Sequence, residues 1–137
     1  MSPAKPKAKA AAPRRIVLVD DDALVRETVR LTLEHAGFRA TAVEDASRAL
    51  ETVRAEAPDL VILDLYMPGA DGREIARALK ADPATARTPI LFFSASNEAV
   101  DVVTGLDSGG ADYVAKPIDG EVLVRKIRSI LRLPEAA

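Results

Sequence analysis

From Arg15 onward, short apolar runs alternate with amphipathic stretches, and no other feature restricts the fold of this chain as much. The runs fall at residues 16–19, 39–43, 60–63, 90–93 and 113–115, and all but the second are nearly continuous in apolar residues. Such runs belong to strands covered on both faces, which is the condition of a parallel sheet with helices on either side. Between them Ala46, Leu50, Val53 and Ala57 recur at helical spacing, as do Leu123, Ile127, Ile130 and Leu131 near the end. Those positions are the inward faces of helices. Residues 23–35, 73–81 and 97–108 supply the other three, with Gly37 and Gly109 as stops. The expectation is an α/β fold of five βα units: a flavodoxin-like, doubly wound parallel sheet in the order 2-1-3-4-5.

In an open parallel sheet, ligands bind beyond the carboxyl ends of the strands, where the strand order reverses. This directs attention to a few polar residues that directly follow apolar runs. Asp20, Asp21 and Asp22 follow the first strand, Asp64 the third, Ser94 the fourth, and Lys116 with Pro117 the fifth. Glu44 and Asp45, after the second strand, fall further from the centre. The order 2-1-3-4-5 makes the first and third strands neighbours, about 4.8 Å apart, and so brings Asp20 and Asp21 close to Asp64. Two carboxylates about 5 Å apart repel by roughly 3 kcal/mol at an effective dielectric near 20. Proton sharing relieves that repulsion, and so does a hard divalent cation such as Mg²⁺ held by oxygen ligands, with Lys116 supplying part of the balance. Asp22 is read as the N-cap of the first helix. Trans is the commoner isomer of a Lys116-Pro117 bond, whereas cis would turn the ammonium inward. His35, the only histidine, sits in the last turn of the first helix and is given no chemical role.

Composition closes off several other chemistries. The 137 residues contain no cysteine, which removes disulfides, thiolate metal sites and a cysteine nucleophile and fits a reducing cytoplasm. No apolar run is long enough to cross a bilayer, and the N-terminus lacks the apolar core of a signal peptide. Lys5, Lys7, Lys9, Arg14 and Arg15 make the first fifteen residues strongly basic, although the whole chain carries a net charge of −2. Without large apolar residues this stretch cannot offset its ordering entropy, so residues 1–14 are read as a disordered, solubilising tail rather than an anchor for an anionic partner. Residues 15–133 form one domain in this reading, and 134–137 a short C-terminal tail.

Four segments then carry a resemblance: VDDDALVR at the end of the first strand, VILDLYMPGADG around the third, LFFSAS at the fourth and DYVAKP at the fifth. In this order and spacing, from about Arg15 to Leu133, the chain resembles the receiver domains of bacterial two-component response regulators. The resemblance implies that Asp64 takes a phosphoryl group from a sensor histidine kinase or a histidine phosphotransfer protein. It implies Mg²⁺ as cofactor, with Asp21, Asp64 and the main-chain carbonyl of Tyr66 as ligands and Asp20 acting through a bound water. Lys116 is similar to the lysine that pairs with the acceptor carboxylate and then with phosphoryl oxygens. Ser94 is similar to the hydroxyl that hydrogen-bonds the phosphoryl group, and Tyr113 to the aromatic whose rotamer follows it. Gly72 closes the loop after Met67 and Pro68. The implied output is a shape change in the fourth helix, fifth strand and fifth helix.

These roles suit phosphoryl transfer, whose loose transition state calls for positioning and charge neutralisation more than for a general base. The chain is accordingly expected to be a phosphoacceptor that promotes its own phosphorylation and dephosphorylation, not an enzyme. It is further expected to be a stand-alone regulator without a DNA-binding output module, acting on a protein target as a monomer or a phosphorylation-dependent dimer. A dehalogenase-type phosphatase would place a second aspartate where Tyr66 stands, and a flavin carrier would replace the acids after the first strand with a phosphate-cradling loop. The remaining alternative is a receiver-like scaffold that works by protein contact without phosphorylation. In the family, residues two beyond the acceptor and two beyond the hydroxyl, here Tyr66 and Ser96, modulate hydrolysis of the acyl phosphate. A bulky Tyr66 is expected to hinder the attacking water, so Tyr66→Asn should shorten the phosphorylated lifetime; an unchanged or longer lifetime, followed by intact mass after removal of the donor, would contradict this.

Overall fold

The computed structural model describes residues 12–134, so most of the basic tail and the last three residues lie outside the described part. Strands β1 (Arg15–Val19), β2 (Arg39–Val43), β3 (Leu60–Leu63), β4 (Ile90–Ser94) and β5 (Asp112–Ala115) form one sheet, all parallel, in the order 2-1-3-4-5. Helices α1 (Ala23–His35), α2 (Ala49–Glu56), α3 (Gly72–Ala81), α4 (Ala99–Asp107) and α5 (Gly120–Leu131) connect and cover them. The expected flavodoxin-like architecture is the one observed. Among the described residues, no helix is long and apolar enough to cross a membrane.

Alternation along each strand sorts its side chains into two cores. Val17, Val19, Val61, Leu63, Ile90 and Phe92 face Ala49 and Val53 of α2 and Ala76 and Leu79 of α3. Ile16, Leu18, Leu60, Ile62, Leu91 and Phe93 face Val29 and Leu33 of α1 and Leu123 and Ile127 of α5. Because all these strand residues are buried, the sheet has no freedom to slip by one residue. In this register Val19 stands beside both Val43 and Leu63. The polar residues after β1 and β3 are therefore side by side.

Aspartates begin most of the helices. Asp22, Asp71 and Asp119 accept hydrogen bonds from first-turn N–H groups of α1, α3 and α5, as N-caps do. Gly37 and Gly109 follow α1 and α4 with φ of 97° and 121°, a region that side chains with a Cβ rarely occupy. The Lys116-Pro117 bond is cis.

The second helix departs from expectation at both ends. Ala46 lies in a separate 3₁₀ turn (Ala46–Arg48) capped by Asp45, and Ala57 has left the helix with φ 47°. Helix α4 is shorter than residues 97–108. The segment between Ser94 and Ala99 stays open, and Glu98 provides no side-chain cap. The sheet also gains its first tie one residue before β1, where the Arg39 N–H donates to the Arg14 carbonyl. A further unexpected element is a two-residue antiparallel pair, Tyr66–Met67 with Ala70–Asp71, that folds the segment after β3 back on itself.

That fold-back depends on Gly72. Its N–H donates to the Leu65 carbonyl at 2.6 Å, and a Cβ there would overlap the Asp64 carbonyl oxygen and lie 3.0 Å from Leu65 Cα. Backbone on both sides leaves nothing flexible to yield. Gly72→Ala should therefore destabilise the protein by about 2–4 kcal/mol, the range of severe backbone and packing conflicts, as measured by urea unfolding.

Candidate functional site

Asp20 and Asp64 hold their positions through the sheet itself. The Asp20 N–H donates to the Val43 carbonyl at 3.1 Å and the Asp64 N–H to the Val19 carbonyl at 3.0 Å, each extending a strand ladder by one residue. Both side chains are buried, at 1% and 5% exposure, whereas Asp21 is exposed. One carboxylate oxygen from each of Asp20, Asp21 and Asp64 lies within 4.8 Å of the other two. The sequence placed three acids at this spot, and the structure brings all three together.

Lys116 enters from β5. Its Nζ lies 2.8 Å from Asp20 Oδ2 and 3.2 Å from Asp64 Oδ2, so one ammonium is shared by two buried carboxylates. The contact with Asp64 is a hydrogen bond, and the shorter of the two contacts is the ion pair with Asp20 Oδ2. Its partner oxygen, Oδ1, accepts from the Asp22 N–H at 2.9 Å. Asp64 Oδ1 accepts from the Tyr66 N–H at 3.3 Å. The Tyr66 carbonyl belongs to the same short strand as that N–H.

Burial pushes the Asp64 carboxyl above its ordinary range, and the neighbouring Asp20 charge adds to the effect, while Lys116 and the Tyr66 N–H only partly oppose it. Burial also disfavours the Lys116 charge, but Asp20 and Asp64 outweigh it and hold the ammonium above its usual value. The cluster thus has more negative charge than its one cation balances.

Ser94 is buried at the end of β4, where its Oγ accepts from the Ser96 N–H at 3.4 Å and its carbonyl from the Lys116 N–H at 2.8 Å. Tyr113 is turned inward. Its hydroxyl donates to the Ser96 carbonyl at 2.6 Å, and its ring centroid lies 6.3 Å from that of Phe92. Tyr66 is 49% exposed, yet its hydroxyl is anchored to Asp101 of α4 at 2.7 Å.

Several residues around the site carry no clear signal in the sequence. Arg26 donates to the Asp20 carbonyl at 2.9 Å, and Arg73 holds Asp71 through two hydrogen bonds of 2.9 and 2.7 Å. Asp101 is buried and gathers Tyr66, Ser96 and Arg73. A faint signal for it exists: it is the one acid within the apolar run Ala99-Val100-Asp101-Val102-Val103.

The unbalanced charge has a measurable consequence. A carboxyl whose folded-state pKa is raised lowers stability above that pKa, and the cost disappears below the unfolded value, about 3.9 for aspartate. Asp64→Asn should thus be more stable than the wild type at neutral pH in a metal-free buffer, and its advantage should shrink as the pH falls toward about 4. Urea midpoints across that range provide the check.

Comparison with known proteins bears on the fold. Residues 16–128 match the family model described as response regulator receiver domain. The transcriptional regulatory protein CseB of Streptomyces coelicolor is 44% identical over 117 residues, covering 85% of this chain and 49% of CseB. The DNA-binding response regulator MtrA of Mycobacterium tuberculosis H37Rv is 42% identical over 119 residues, covering 87% of this chain and 51% of MtrA. Among solved structures, a putative response regulator from Chloroflexus aurantiacus J-10-fl superposes with TM-score 0.84 at 31% identity, over 88% of this chain and 99% of that one. The chemotaxis protein CheY4 of Vibrio cholerae superposes with TM-score 0.82 at 26% identity, over 87% and 99%. The chain spans about half the length of the curated relatives it matches. Their names correct one expectation: a chain so similar to DNA-binding regulators gives no ground for setting DNA aside.

Proposed function

The chain belongs to the response regulator receiver domain family, and on that premise we propose that it is a Mg²⁺-dependent switch phosphorylated on Asp64 by a histidine kinase or a phosphotransfer protein. The observation that carries this reading is the cluster of Asp20, Asp21 and Asp64 with Lys116 lodged between two of them. Residues 15–133 constitute the receiver, and its setting is the cytoplasm. The names of the relatives suggest the output, which we take to be control of a DNA-binding module.

The donor set suits a hard divalent cation. All available ligands are oxygens, and one ammonium does not neutralise three carboxylates. Asp21, Asp64 and the Tyr66 carbonyl would hold Mg²⁺, with Asp20 contributing through a bound water. When bound, the ion supplies positive charge against the carboxylates and the phosphoryl oxygens.

The chain's own residues account for the rest of the reaction. An Asp64 oxygen attacks the phosphorus of a phosphohistidine, the phosphorus–nitrogen bond breaks, and the imidazole nitrogen leaves with the electron pair. Burial raises the Asp64 pKa while the Lys116 ammonium favours the ionised carboxylate, the form that attacks without a general base. Lys116 already contacts Asp64 and can follow the charge onto the phosphoryl oxygens. Ser94 Oγ then donates to one of those oxygens, and its loop moves with it. The Tyr113 hydroxyl is tied to Ser96 in that loop, so the displacement reaches β5 and its surface.

The direct test is incubation with acetyl phosphate, reading intact mass with and without Mg²⁺ and for Asp64→Asn. A gain of one phosphoryl group that requires both the metal and Asp64 is expected. No gain from a folded protein, under conditions that phosphorylate a control receiver, would favour a scaffold acting by contact alone.

A further inference from the structure

Asp101 lies outside the acceptor cluster, and none of the roles above uses it. It sits in the first turn of α4, buried, with both carboxylate oxygens occupied. Oδ1 accepts from the Tyr66 hydroxyl at 2.7 Å, and Oδ2 accepts from the Ser96 hydroxyl. Tyr66 and Ser96 belong to different loops, the first following β3 and Asp64, the second following β4 and Ser94. One carboxylate therefore bridges the two segments that flank the acceptor.

Arg73 braces the bridge from α3. Its guanidinium lies 5.3 Å from the centre of the Tyr66 ring, its Nη1 donates to Thr104 Oγ1 at 2.7 Å, and the same nitrogen is 3.5 Å from Asp101 Oδ1. The Ser96 and Tyr66 hydrogen bonds hold the Asp101 carboxyl below the usual carboxylate range, so it stays an ionised acceptor. The hydrogen bond to Asp101 raises the Tyr66 phenol above its ordinary value, so Tyr66 stays a donor.

We propose that Asp101 is a positioning residue that sets the lifetime of the Asp64 phosphate by clasping Tyr66 and Ser96 together across the gap between their loops. The proposal rests on the acceptor reading of Asp64. In hydrolysis, water attacks the phosphorus, the bond between phosphorus and the Asp64 oxygen breaks, and the carboxylate leaves with the electron pair. The protons of the water end on the released phosphate. A ring held at both ends, by its backbone beside Asp64 and by its hydroxyl on α4, obstructs the approach of water on that side. A ring freed from Asp101 can swing into solvent, since it is already half exposed.

The test loads wild type, Asp101→Ala, Tyr66→Phe, the double variant and Asp101→Asn with acetyl phosphate and Mg²⁺, removes the donor, and follows the phosphoryl group by intact mass. Tyr66→Phe keeps the ring and removes the hydroxyl, with its tie to Asp101 and a longer contact of 3.4 Å from Arg73. Each of Asp101→Ala and Tyr66→Phe should lose phosphate about fivefold faster, the rate equivalent of one ordinary hydrogen bond. The double variant should be no faster than the faster single one, because both changes cut the same tie. Asp101→Asn, whose amide oxygen still accepts from Tyr66, should restore most of the lifetime. Wild-type rates in both single variants, or effects that multiply in the double variant, would overturn the clasp. If Asp101→Ala does not fold, an unchanged rate in Tyr66→Phe overturns it alone. Uptake with unaltered lifetimes removes only the clasp, whereas no uptake by the wild type removes the acceptor reading and the clasp with it.

Discussion

The shared ammonium of Lys116 is the contact on which the site depends. Asp20 and Asp64 are forced together by the register of β1 and β3, and neither can retreat, because each continues its strand through a backbone hydrogen bond. Water does not reach them freely, so the repulsion is felt at a lower dielectric than on the surface. A lysine suits this place because its ammonium is compact and can contact two carboxylates at once. Its own backbone is held by the Ser94 carbonyl, so the pairing of β4 with β5 delivers the cation to the acids.

A second polar layer lies around the first. Arg73 and Asp101 join α3 and α4 above the sheet, with Tyr66 and Ser96 as intermediates. The inner layer is short of positive charge, but in the outer one Arg73 faces Asp71 and Asp101, and the hydroxyl donors find acceptors. The contrast separates two tasks. A charge deficit leaves room for a ligand, and a satisfied network fixes geometry.

Much of this was legible in the sequence because parallel strands buried on both faces leave an unmistakable pattern. LVIL at residues 60–63 followed by Asp64 marks both a central strand and its functional end. Strand order then placed Asp20 and Asp21 beside Asp64 through a rule of topology, whereas the pairing of Lys116 with Asp64 came from the resemblance. Local backbone chemistry was harder to read. Nothing in Ala57 announces a left-handed residue, and the pairing of Tyr66–Met67 with Ala70–Asp71 is too short for any periodicity. Asp101 escaped for a different reason: an acid early in a helix is ordinarily a favourable first-turn charge. Its importance comes from Tyr66 and Arg73, which lie 35 and 28 residues away and reach it only once the chain is folded.

The origin of the site in three separate strands also bears on how the protein is made. Asp20 leaves the ribosome early, Asp64 after two helices and two strands more, and Lys116 only near the end of the domain. N-terminal parts of a chain can begin to fold during synthesis. A nascent chain that has paired β1 with β3 holds two carboxylates side by side with no ammonium between them. Such an intermediate is disfavoured by its own acids, and emergence of β5 relieves it. Charge thus opposes early closure of the half-made sheet and favours its completion.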